Sequence, residues 1–129
     1  MTLLLSAIAL LVPGYDEAVA FYVGKLGFAL IEDTRLTETK RWVLVAPPGS
    51  RETRLLLAKA DGEAQRARIG DQTGGRVFLF LTTDDFARDH AAMIEKGVEF
   101  LEVPRTEPYG KVAVFRDPFG NKWDLIEPA

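Results

Sequence analysis

One pattern constrains this chain more than any other: strand, helix, strand, strand, strand, written twice. The first half opens on the apolar run Leu3–Val12, closed by Pro13-Gly14, which reads as a central strand. Asp16 then precedes a segment with Ala18, Phe21, Tyr22 and Leu26 at helical spacing, stopped by Gly27. Phe28–Arg35 and Arg41–Ala46 read as strands joined by a polar hairpin. Pro47-Pro48-Gly49 turns the chain into a fourth strand, Thr53–Ala58. The second half repeats this order. Arg76–Thr82 reads as a strand, Asp84 or Asp85 opens a helix that ends at Gly97, and Val98–Val103 is a strand. A loop over Pro104–Gly110 leads to the strand Lys111–Arg116, a turn at Asp117–Gly120 and a last strand, Lys122–Glu127. A shift of about 70 residues carries Leu11 onto Leu81, Gly27 onto Gly97, Glu32 onto Glu102, Pro48 onto Pro118 and Leu55 onto Leu125. Turn, helix stop and strand pattern coincide in one register, which predicts two βαβββ modules, 1–60 and 76–129. The polar stretch 61–75, ending in Gly74-Gly75, is the expected linker.

Composition narrows the function. The net charge of −3 and the scattered basic residues argue against nucleic acid, since phosphate binding wants a concentrated basic surface. There is no cysteine, so disulfides, thiolate metal sites and cysteine nucleophiles are excluded. The apolar run at Leu3–Val12 is too short to span a membrane, and no Lys or Arg precedes it as in a signal peptide. It is expected to be a buried strand of a cytoplasmic protein with no membrane partner. His90 is the sole histidine, and its place in the second helix beside Asp89 reads as a helix surface position. With one imidazole, no serine–histidine–acid arrangement is available. No phosphate loop or dinucleotide fingerprint is present.

Near the C-terminus, Asp117-Pro118-Phe119-Gly120 has the residues of a type I turn. That turn sets the register of the last strand, and with it the direction of Asp124, an acid inside an apolar run.

The tandem repeat, together with "DEAVAFYVGKLGF", "RWVLVAPPGS", "DDFARDHAAMIEKGVEF" and "YGKVAVFRDPFGNKWDLIE", resembles the vicinal oxygen chelate superfamily. That group includes glyoxalase I, the extradiol dioxygenases and the bleomycin- and fosfomycin-resistance proteins. The resemblance implies an α+β fold in which tandem βαβββ modules form a curled mixed-sheet cup, commonly in a homodimer. In metal-dependent members it also implies one divalent ion, held by His and Glu on the first and last strands of each module. Carried onto this chain, those positions fall on Ala7, on Val77 or Phe78, between Arg54 and Leu56, and on Asp124. Asp124 alone can ligate an ion, and a single carboxylate does not hold a catalytic metal against water. No metal site and no cofactor are therefore expected.

A metal-free pocket should be apolar and aromatic, with a few orienting polar groups. Trp42, Phe78, Phe80, Tyr109, Phe115 and Trp123 are the candidate lining, and Arg41 or Arg54 could grip an anionic group. Asp124 is a candidate base, a ligand anchor, or a partner for Arg54. Three functions follow. The first is a metal-free protein that sequesters a small organic ligand. The second is a metal-dependent lyase, isomerase or dioxygenase. The third is a dimeric scaffold. The missing ligands favour the first.

Overall fold

The computed structural model describes all residues from Met1 to Ala129, which divide into two compact units, Met1–Ile69 and Gly70–Ala129. Each unit is a mixed sheet with helices, so the fold is α+β. No helix is long and apolar enough to cross a membrane.

In the first unit the strands are β1 (Ala7–Val12), β2 (Ala29–Arg35), β3 (Arg41–Ala46) and β4 (Arg54–Lys59), ordered β1-β4-β3-β2. β1 and β4 run parallel, and the remaining pairs are antiparallel. The first strand is shorter than its apolar run: Leu3, Leu4 and Leu5 are exposed. The ladder starts at Ala7 opposite Arg54 because β4 begins there, leaving the leucines no strand to pair with. The first helix, α1 (Tyr15–Val19), widens into a π-type coil over Ala20–Lys25, where Leu26 N donates to Phe21 O five residues back. Gly27, at φ 74°, ends it as the sequence predicts. Tyr22, Phe21 and Ala18 are buried, as are Leu10, Val12, Val43, Val45, Leu55 and Leu57 of the strands. A short helix, α2 (Gly62–Arg66), forms within the stretch expected to be linker.

The second unit repeats the connectivity. β5 (Leu79–Thr82), β6 (Glu99–Phe100), β8 (Gly110–Arg116) and β9 (Lys122–Pro128) are ordered β5-β9-β8-β6, with β5 and β9 parallel. An added short strand, β7 (Arg105–Glu107), also pairs with β8, inside the expected loop. The expected strand Val98–Val103 is thus cut to two residues. The cause is visible at Val114: its N–H donates to the Glu102 carboxylate rather than to an edge-strand carbonyl, and Pro104 has no N–H to offer. The helix α3 (Phe86–Glu95) starts at Asp85, whose side chain accepts from Arg88 N at 3.0 Å, and closes at Gly97 with φ 85°.

The turn before β9 is built on Asp117. Gly120 N donates to Asp117 O, while the buried carboxylate accepts from Phe119 N, Asn121 N and Asn121 Nδ2 at 2.8–3.0 Å. The corresponding hairpin of the first unit is two residues longer between paired positions, from Val45 opposite Leu55 against Phe115 opposite Trp123. The single repeat register therefore breaks in the last strand. Leu56, not Arg54, is the structural counterpart of Asp124, because it faces Leu44 as Asp124 faces Val114.

Candidate functional site

Each sheet has one face under its helix and one without that cover. Strand residues alternate between the two faces, so the ladder register sorts them. In the second unit, Phe115, Trp123 and Leu125 take the helix-covered face. Their rings continue a stack that starts on α3: Phe86–His90, His90–Phe100, Phe100–Phe115 and Phe115–Trp123, with centroids 4.4–5.8 Å apart. Phe115 and Trp123 are buried at 0% and 3% exposure. They are core side chains, which corrects their expected place in a ligand pocket. The reason is strand parity: Trp123 and Asp124 are adjacent in β9 and must point to opposite faces. His90 is corrected too. It is half-buried between Phe86 and Phe100, and burial, then the Lys111 ammonium, pulls its pKa below the usual imidazole value.

The opposite face of this sheet carries Asp124, with Phe80 beside it across the parallel ladder and Val114 across the antiparallel one. Val112 and Ile126 follow on the same face, and Arg105 stands opposite Val112. Asp124 is 9% exposed, and its Oδ1 has no hydrogen-bond partner. Burial raises its pKa above the ordinary carboxylate value. The Arg105 guanidinium opposes that rise and the Glu102 carboxylate adds to it. Arg105 is itself engaged: Nε donates to Glu102 Oε1 at 3.2 Å, and Nη1 donates to Glu107 Oε1 at 2.8 Å and to Tyr109 Oη at 3.2 Å. Those acceptors raise its already high pKa further. Tyr109, a candidate from the sequence, is therefore tied to this charged cluster while its ring stays exposed. Phe78 precedes β5, half-buried, with its N–H on Lys122 O.

In the first unit the face without helix cover carries Ala7, Ala9, Leu44, Arg54 and Leu56, with Trp42 toward one end. A cleft of about 650 Å³ in this unit is lined by residues of both sheet faces and of the helices, among them Tyr15, Arg41, Trp42, Leu56, Ala58 and Gln65. Trp42 is 38% exposed in it. Arg41 is not free to grip an anion. Its fork is bidentate to Asp33, at 3.0 and 2.6 Å, its other terminal nitrogen reaches Asp16 at 2.8 Å, and its guanidinium lies 5.1 Å from the Tyr15 ring centroid. Arg54 lies outside the cleft lining, and its buried Nε finds no hydrogen-bond partner.

The ladders show which residues stand beside Asp124 and beside its counterpart in the first unit. Beside Asp124 stands Phe80, rather than Val77 or Phe78. The counterparts in the first unit are Leu56 and, beside it, Ala9 rather than Ala7. Alanine, leucine and phenylalanine offer no donor, and nowhere do three His, Asp or Glu side chains converge as an ion would require. The residues present do not fit the metal of the metal-dependent proteins.

Comparison with known proteins matches this architecture. The family model for the Glyoxalase/Bleomycin resistance protein/Dioxygenase superfamily covers residues 4–125. The chain belongs to that superfamily. A protein of Shewanella frigidimarina (strain NCIMB 400) is 56% identical over 93% of this chain and 90% of its own length. Among solved structures, UcmS2 superposes with a TM-score of 0.85 at 31% identity, covering 98% of both chains. TnmS3, described as an antibiotic binding protein from Streptomyces sp. CB03234, gives 0.78 at 31% identity, over 100% of this chain and 98% of that one. Superfamily membership fixes the fold and leaves the chemistry to the site.

Proposed function

We propose that this superfamily member is a small-molecule-binding protein that holds an organic ligand without a metal ion. One observation carries the reading: Asp124 is a single carboxylate with Phe80 beside it in its ladder, and the corresponding pair of the first unit, Leu56 and Ala9, offers no metal-ligating atom. Apolar side chains with one carboxylate suit an organic ligand with few orienting groups. The likeness to an antibiotic binding protein at 31% identity supports it. The ligand contacts in this reading are Phe80, Tyr109 and Asp124 of the second unit. Its expected setting is the cytoplasm and its expected state a homodimer, which sedimentation velocity tests.

The metal-dependent lyase, isomerase or dioxygenase reading finds no supporting residue beyond Asp124. Elemental analysis of the purified chain, with thermal-shift measurements against Ni, Zn, Mn and Fe, separates the two. The binding reading expects no stoichiometric metal and no metal-induced stabilisation. A stoichiometric ion that disappears in Asp124→Ala would sink it.

A further inference from the structure

We propose that Phe80 and Asp124 act as one recognition pair for a flat aromatic ligand bearing an O–H or N–H donor. The inference deepens the binding reading above and rests on it. Its starting point is an acceptor with nothing to accept. Asp124 Oδ1 is buried and unpartnered, and a buried polar atom left so is costly.

Several donors across the ladders from Asp124 bond elsewhere. Arg105 Nε and Nη1 are held by Glu102, Glu107 and Tyr109. The backbone N–H of Val114, the residue opposite Asp124, goes to Glu102. Asp124 therefore keeps an acceptor that no protein donor fills, on the face of its strand that Phe80 shares.

Phe80 supplies the second half of the pair. It stands opposite Asp124 in the parallel ladder, on the same face, and is 66% exposed. A large aromatic ring left open in a sheet strand is an unfilled stacking surface. Neighbouring strands lie about 4.8 Å apart. A bicyclic aromatic resting on Phe80 thus extends over the neighbouring strand at Asp124, whose side chain keeps a small exposed fraction. Val114 and Ile126, on the same face, are apolar neighbours that add contact without competing for the donor.

The test uses the full chain and three naphthalenes: 2-naphthol, its donor-capped counterpart 2-methoxynaphthalene, and protonated 2-naphthylmethylamine. Affinities are read by NMR titration, with melting curves confirming that each variant is folded. Wild type is expected to bind 2-naphthol, the ammonium probe or both about tenfold more tightly than 2-methoxynaphthalene. The order of the two donor probes tells whether the preferred donor is neutral or charged. Asp124→Leu loses the preference and keeps its affinity for 2-methoxynaphthalene. Asp124→Asn keeps a preference for 2-naphthol, because its amide oxygen still accepts, and loses any preference for the ammonium probe. Phe80→Ala weakens all three probes together. Equal wild-type affinity for all three, or a preference that survives Asp124→Leu, overturns the pair and leaves the binding reading standing. Failure of wild type to bind any of the three overturns both.

Discussion

Phe80 stands directly opposite Asp124 across the β5–β9 ladder, in the place that Ala9 holds opposite Leu56 in the first unit. An aromatic ring and a buried acid thus occupy, in one unit, positions that two aliphatic side chains fill in the other. This asymmetry gives the second unit its chemistry, and it carries a stability cost that can be measured.

Asp124 should weaken the fold at neutral pH. Its folded pKa is raised above its ordinary value of 3.8, with burial as the main cause. Between those two values the native state binds a proton that the unfolded chain has released, so stability falls as pH rises through that window. Above it the loss is complete. Asp124→Leu, which copies Leu56, should gain about 1–3 kcal/mol near pH 7 in urea unfolding, and the gain should vanish toward about pH 3.

His90 has the opposite sign. Its folded pKa lies below the ordinary 6.5, so the unfolded chain takes up a proton first as pH falls. Stability contributed by the neutral ring is present above 6.5 and is lost as pH drops toward the folded value. His90→Phe, which preserves the aromatic stack, should flatten the fall in melting temperature as pH drops below about 6.5.

The core assignment of Phe115 predicts a large loss on truncation. It is fully buried and touches both Phe100 and Trp123. Phe115→Ala should cost about 3–5 kcal/mol of stability. A ligand-contact role would instead leave unfolding nearly unchanged and weaken binding.

The turn at Asp117 predicts a comparable effect without a cavity. Its carboxylate accepts three N–H groups, and both it and Asn121 are buried. Asp117→Ala strands those donors and should cost about 2–3 kcal/mol, read as a lower urea midpoint.

The two tryptophans should separate optically. Trp42 is 38% exposed and Trp123 only 3%. Trp42→Phe should leave a blue-shifted emission protected from acrylamide, while Trp123→Phe should leave a red-shifted, quenchable one.

Much of this architecture was legible along the chain. Gly27 and Gly97 mark the helix ends because only glycine enters positive φ without steric cost. Strands β3, β8 and β9 follow the apolar runs, and Asp117-Pro118-Phe119-Gly120 carries its own turn chemistry. Period-two alternation alone already separates Trp123 from Asp124, so their joint assignment to one pocket could have been rejected from spacing. Other features had no such signal. The edge-strand break that creates β7 depends on Glu102 reaching Val114, twelve positions away. The π-type coil at Ala20–Lys25 looks like any helix in sequence.

By itself the sequence determined the order of elements, the doubled module, the superfamily and the loss of all but one metal-ligating side chain. These are local patterns or residue identities, and they need no knowledge of what lies across a ladder. Only the tertiary structure decided that Phe80, and not Val77 or Phe78, stands beside Asp124, and that Leu56, and not Arg54, is its counterpart. Pairing across strands depends on turn length, and a hairpin two residues longer shifts every position beyond it. The same ladders left Asp124 Oδ1 buried without a donor, which no reading along the chain could show.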